Sequence, residues 1–220
     1  MSQQYMMPTE LNDRDGQPRR AGFEFELGNL PVLRAAQFLR ESLGGDLEIA
    51  SPFEAILTNT SLGKLKIERD ARVLKSVRFR KWLAQLGFEF EPGDIGHDIE
   101  ANIDSASSLI IPCEVVTAPI PFDRLGELDH LVAILAELGA EGTQDSLIYA
   151  FGMHINPSVP SLDAITLRRY LQAFLLLYSW FIETAEIDLT RRFFTKFIDP
   201  FPAPYLEVVL RDTYNPTLEE

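Results

Sequence analysis

The sequence predicts an α+β fold built on an antiparallel sheet, on three observations. Segments with strand alternation interleave with segments of helical periodicity along the whole chain. Several neighbouring strand candidates are too close together for the crossover that a parallel pair needs. No internal repeat and no low-complexity linker divides the chain. A single domain over 20–220 is the simplest division, and 1–19, rich in Gln, Asp, Arg and Pro, reads as a disordered leader.

The elements follow in order. Residues 20–27 alternate, with Phe23 and Phe25 on one side and Glu24 and Glu26 on the other, a strand with an unusual polar face. Over 32–43 the apolar residues fall at 32, 35, 36, 39 and 43, a helical stripe that stops at Gly44-Gly45. Short strands are predicted at 46–50, 54–58 and 64–69. A basic helix is predicted over 72–86, ending at Gly87, and a long acidic loop or hairpin over 89–108. The β-rich run 109–116 is interrupted by Pro112. Leucines at 125, 128, 131, 135 and 138 predict an amphipathic helix over 121–138. Residues 147–155 read as a strand, Ser161 as the cap of a long apolar helix reaching Glu183, and 205–211 as a final strand. The closing Leu218-Glu219-Glu220 reads as an opening helical turn, so the natural chain is expected to continue.

Charge and cysteine content narrow the function classes. Thirty-three acidic residues face 20 basic ones, a net charge of −13. That balance argues against a nucleic-acid or anionic-membrane surface, which needs clustered Lys and Arg. It leaves a nucleotide substrate open, because Mg²⁺ can bridge carboxylates to phosphates. Cys113 is the one cysteine, so no intrachain disulfide forms. It lacks a cationic neighbour in sequence and reads as structural. The first 20 residues lack an apolar signal core, and the apolar stretch 171–182 is too short to span a bilayer. The expected compartment is the cytoplasm.

The chemistry concentrates in a few places. Glu24 and Glu26, at i and i+2 of a strand, project from one face roughly 6.5–7 Å apart at the backbone. Like charges so placed are unfavourable unless a cation or solvent lies between them, and either a Mg²⁺-type ion or a wet strand face fits. Glu114 stands alone in an apolar run. It is either paired or metal-bound inside, or facing water on an edge. His154 alternates with Met153 and Ile155 and lies beside Asn156, with Gly152 allowing close approach. A core histidine with a hydrogen-bond partner is the plainer account of it. Asp70 sits where a strand gives way to a helix and would serve as a cap. Arg211, at a strand end, could face a phosphate or simply water. His97 and His130 read as solvated. No phosphate loop, dinucleotide fingerprint, zinc helix or serine elbow is present.

Taken in order, these pieces resemble the amidoligase family, relatives of glutamine synthetase and glutamate–cysteine ligase within the carboxylate–amine ligases. The order is E-x-E on an early strand, an Asp after a strand, a Glu-Val-Val-Thr-Ala-Pro stretch, a leucine-rich helix and a Gly-x-His-x-Asn strand. Glu24, Glu26, Asp70, Glu114, Gly152, His154 and Asn156 occupy the matching positions, over about two-thirds of the chain. Two departures stand out. Asp70 is followed by Ala71-Arg72 instead of a small residue and Ser, and Glu207 and Arg211 are four apart where the family has E-x-R.

The resemblance implies an antiparallel sheet curved into a glutamine-synthetase-like funnel with helices on its outer face. It implies Mg²⁺, or Mn²⁺, held by Glu24, Glu26, Glu114 and His154 against the phosphates of ATP. Gly152 and Asn156 would serve the nucleotide, and Asp70 and Arg211 the reaction. The chemistry implied is phosphoryl transfer to a small-molecule or peptide carboxylate, then attack by an amine. By alternation, Phe23, Phe25, Met153 and Ile155 would point away from the metals into a core. A non-catalytic interaction module on the same scaffold and a metal-dependent hydrolase are the rival readings.

Overall fold

The computed structural model describes residues 5–27, 30–51, 53–69, 113–138, 153–184 and 200–219. Among them lie a seven-stranded antiparallel sheet and four α-helices. The elements are β1 (Arg20–Leu27), α1 (Val32–Leu43), β2 (Asp46–Ser51), β3 (Glu54–Thr60), β4 (Gly63–Arg69), β5 (Cys113–Thr117), β6 (Ile120–Pro121), α2 (Glu127–Glu137), β7 (Met153–Pro157), α3 (Ala164–Thr184) and α4 (Ala203–Val209).

Strands β2, β3 and β4 form a meander, β5 pairs β4, and β1 pairs β5. β5 takes Glu24 to Leu27 of β1 and β6 takes Arg20 and Ala21, while β7 pairs β1 from Ala21 to Phe25. The strand register makes one face of the sheet apolar. Phe23, Phe25, Leu27, Ala55, Leu57, Leu65, Ile67, Cys113 and Val115 are all buried there, against Val32, Ala35, Ala36 and Leu39 of α1 and Leu128, Leu131, Ile134 and Leu135 of α2. The helical stripe of α1 is the one the sequence predicts. Its stop is steric as well as conformational, since Gly44 and Gly45 have φ of 73° and 95°. A Cβ on Gly45 would also collide with the Thr58 carbonyl oxygen.

The structure corrects four expectations. The helix predicted over 121–138 begins only at Glu127: Pro121 belongs to β6, and Phe122–Arg124 form a 3₁₀ turn. α3 is capped by Asp163, not Ser161, since the Thr166 N–H donates to Asp163 Oδ1 at 2.8 Å. The final strand is instead the helix α4. Its β-branched run, Val208-Val209, is overridden by Pro202 and Pro204, which preset φ in a first turn whose N–H groups have no partner to lose. Met153 and Ile155 are not core: they are 49% and 53% exposed.

Residues 5–19, expected to be a leader, make defined contacts. Tyr5 OH donates to Asp129 Oδ1 at 2.8 Å, and Arg14 pairs with Asp163 at 2.7 Å. The expected helix 72–86, the acidic segment 89–108, 109–112 and 147–152 lie outside the described residues, as do Asp70, His97 and Gly152. No helix among the described residues is long and apolar enough to cross a membrane.

Candidate functional site

Opposite the core, the sheet turns a polar face outward, and register alone assembles the site there. Residues paired across adjacent strands share a face. Glu26 pairs with Glu114, and Glu24 with His154. Glu114 pairs in turn with Glu68, and Glu68 with Glu54. Four carboxylates, Glu54, Glu68, Glu114 and Glu26, therefore form one row across four strands, spanning about 14 Å at the strand spacing. The neighbouring row runs Lys66, Val116, Glu24, His154.

The two ends of this face have different partners. At one end Lys66 Nζ lies 2.8 Å from Glu68 and 3.4 Å from Glu54. Its pairing with Glu68 keeps the Lys66 ammonium above its ordinary pKa. At the other end an imidazole sits between carboxylates. His154 Nδ1 is 3.3 Å from Glu24 Oε2, and its Nε2 is 4.0 Å from Glu26 Oε1. Asn156 donates its amide to Glu24 Oε1 at 2.9 Å. Burial pushes the Glu24 carboxyl up, but hydrogen bonds with Glu114, His154 and Asn156, and the charge of His154, outweigh it. The carboxyl is held below its ordinary value. Two facing carboxyl groups bond only through a shared proton, or through a cation that replaces it.

Glu114 is the deepest member, 2% exposed in β5 between buried Cys113 and Val115. Of the two sequence alternatives for it, a water-facing edge is excluded: β5 is paired on both sides, by β4 and β1. His154 is not a core histidine either, its side chain being 55% exposed. Cys113 is fully buried, and burial pushes its thiol up to about 12, in keeping with a structural role.

The donor set, three carboxylates of which Glu114 is buried and one exposed imidazole, suits a hard divalent cation of the Mg²⁺ or Mn²⁺ type. As the side chains lie, no three such groups among the described residues converge on one point. The two ring nitrogens of His154 face different carboxylates, and rotation of this exposed side chain would be needed to close the set.

The structure thus brings together Glu24, Glu26, Glu114, His154 and Asn156. It does not bring Arg211 to a strand end: that residue is exposed in the bend after α4, its N–H 3.4 Å from Val208 O. α4 packs on α3, where Gln172 donates to Val209 O at 2.7 Å. Sequence reasoning missed Glu54, Lys66 and Glu68. Their alternation with buried Ala55, Leu65 and Ile67 put them on the wet face, but only register aligns them with Glu114.

The model of the family described as "Putative amidoligase enzyme" matches residues 17–220. No curated protein and no solved structure matches the chain.

Proposed function

The chain belongs to the amidoligase family, and on that premise we propose that it is an ATP- and Mg²⁺-dependent carboxylate–amine ligase. The observation that carries the reading is the meeting of Glu24, Glu26, Glu114 and His154 on one polar sheet face. Those four side chains would hold Mg²⁺ or Mn²⁺, which when bound would neutralise phosphate oxygens and the charge developing on them. The sheet is expected to curve into the funnel of the glutamine synthetase relatives, with the nucleotide against its polar face.

In the reaction, a carboxylate oxygen of the acceptor attacks the γ-phosphorus of ATP and ADP leaves. The nitrogen of a neutral amine then attacks the acyl phosphate carbon, and phosphate departs with the C–O bonding pair. The amide nitrogen loses its extra proton. No side-chain nucleophile is required, which suits a face built of carboxylates and an imidazole. This chain's part is positioning. Asn156 fixes the orientation of Glu24 through its amide, and Glu114 is anchored by a strand paired on both sides. Asp70 and Gly152 are proposed to serve the reaction and the nucleotide, as in the family pattern.

The test is a screen of the purified protein with ATP and Mg²⁺ across pools of carboxylates and amines. ADP release should require both, and the product should weigh the carboxylate plus the amine less one water. ADP release indifferent to the amine, or a hydrolysed product, would overturn the ligase reading. The second of these would favour a hydrolase on the same carboxylates.

A further inference from the structure

β7 carries His154 and Asn156, yet its own burial does not tell it which way to face. All five of its residues are exposed. A strand buried on one face is held in register by its hydrophobic pattern, whereas a strand wet on both faces slips readily. A slip of one residue would turn His154 and Asn156 to the opposite face. Their contacts with Glu24 follow from the register, and exposed pairs of this kind contribute little on their own.

One register is singled out just beyond the strand, at Ser158. Its N–H donates to Arg20 O at 2.8 Å, and its Oγ accepts the Arg20 N–H at 2.9 Å. Its carbonyl oxygen accepts two bonds from the Arg19 guanidinium, from Nε at 3.1 Å and Nη2 at 2.8 Å. Arg19 is itself held fast. It is 4% exposed, donates to Glu10 O and to Tyr170 OH at 2.7 Å each, and lies over the rings of Phe122 and Tyr170 at 4.9 and 5.8 Å. A buried guanidinium satisfied by fixed acceptors loses heavily if one of them moves away. Its rigid fork therefore selects one carbonyl, and it does so from the residue immediately before β1.

We infer that Arg19 is a positioning residue that sets the register of β7 against β1 and so turns His154 and Asn156 onto the carboxylate face. The inference holds whatever cation or substrate that face takes, and its test uses no ligand. Backbone NOEs of the labelled full chain should join Glu24 to His154 and Gly22 to Asn156 in the wild type. In Arg19→Met those contacts should disappear or shift by one residue, while those joining Glu26 to Glu114 persist. A purely structural residue would lower the unfolding midpoint and leave every pairing in place, and that result overturns the proposal. If Arg19→Met loses the β1–β5 contacts as well, Arg19→Lys decides, because it keeps the charge and loses the fork. The same selective loss supports the proposal; intact pairing, or loss of both sets again, overturns it.

Discussion

Glu24 meets Glu114, His154 and Asn156 at once, and that crowding has a consequence in pH. Its carboxyl is held below the ordinary value in the folded chain, so folding favours the ionised form. The stability this contributes is present above the unfolded carboxyl pKa, about 4.3, and is lost as pH falls through the lower folded value. Urea midpoints of wild type and Glu24→Gln should therefore differ most near neutrality and draw together below pH ~4. A difference that is constant across that range would contradict the assigned contacts. His154 separates chemistry from scaffold at the same scale. His154→Asn should keep its circular dichroism, because the side chain is exposed. It should lose about 10²–10³ of amine-dependent ADP release, the usual cost of one preorganised electrostatic partner. Wild-type turnover in the folded variant would remove the histidine from the site. Cys113, buried with its thiol pushed up to about 12, should resist thiol reagents until the chain unfolds.

Among the elements, β1 and β7 carry the same alternation to different ends. Phe25 is 8% exposed beneath the sheet, and Phe25→Ala should cost about 3–5 kcal/mol. Ile155→Ala should stay within ~0.5 kcal/mol, because half of that side chain already meets water. A large loss at Ile155 in chemical denaturation would mean that β7 is covered. The contrast also shows what the sequence could reveal. Alternation in β1, the stripe of α1 and the leucines of α2 are local patterns, each tied to a core that buries it, and they are legible residue by residue. Exposure of β7 depends on its neighbours in the sheet. The helix α4 was hidden for another reason: Val208-Val209 argues for a strand, but two prolines upstream determine the backbone. The candidate site was legible in its members Glu24, Glu26, Glu114, His154 and Asn156. The alignment of Glu54 and Glu68 with them was not, because pairing between strands far apart in sequence leaves no local trace.

For the molecule as a whole, the sheet divides its labour between faces: α1, α2 and the apolar residues make the core, and the other face carries the carboxylates, of which Glu114 is buried. Among the described residues, only one end of the row of four glutamates has a lysine beside it. Lys66 serves Glu54 and Glu68, and the imidazole end is the one proposed to take a cation. That difference supplies a control within a single row. Calorimetry with Mn²⁺ and a non-hydrolysable ATP analogue should show binding by the wild type that Glu24→Gln and Glu26→Gln weaken at least about tenfold, the loss of roughly 1.4 kcal/mol. Glu54→Gln, which removes the same charge from the lysine end, should bind as the wild type does. Equal affinity in all four proteins, or equal weakening by all three substitutions, would contradict a cation held at the Glu24–Glu26–Glu114–His154 end.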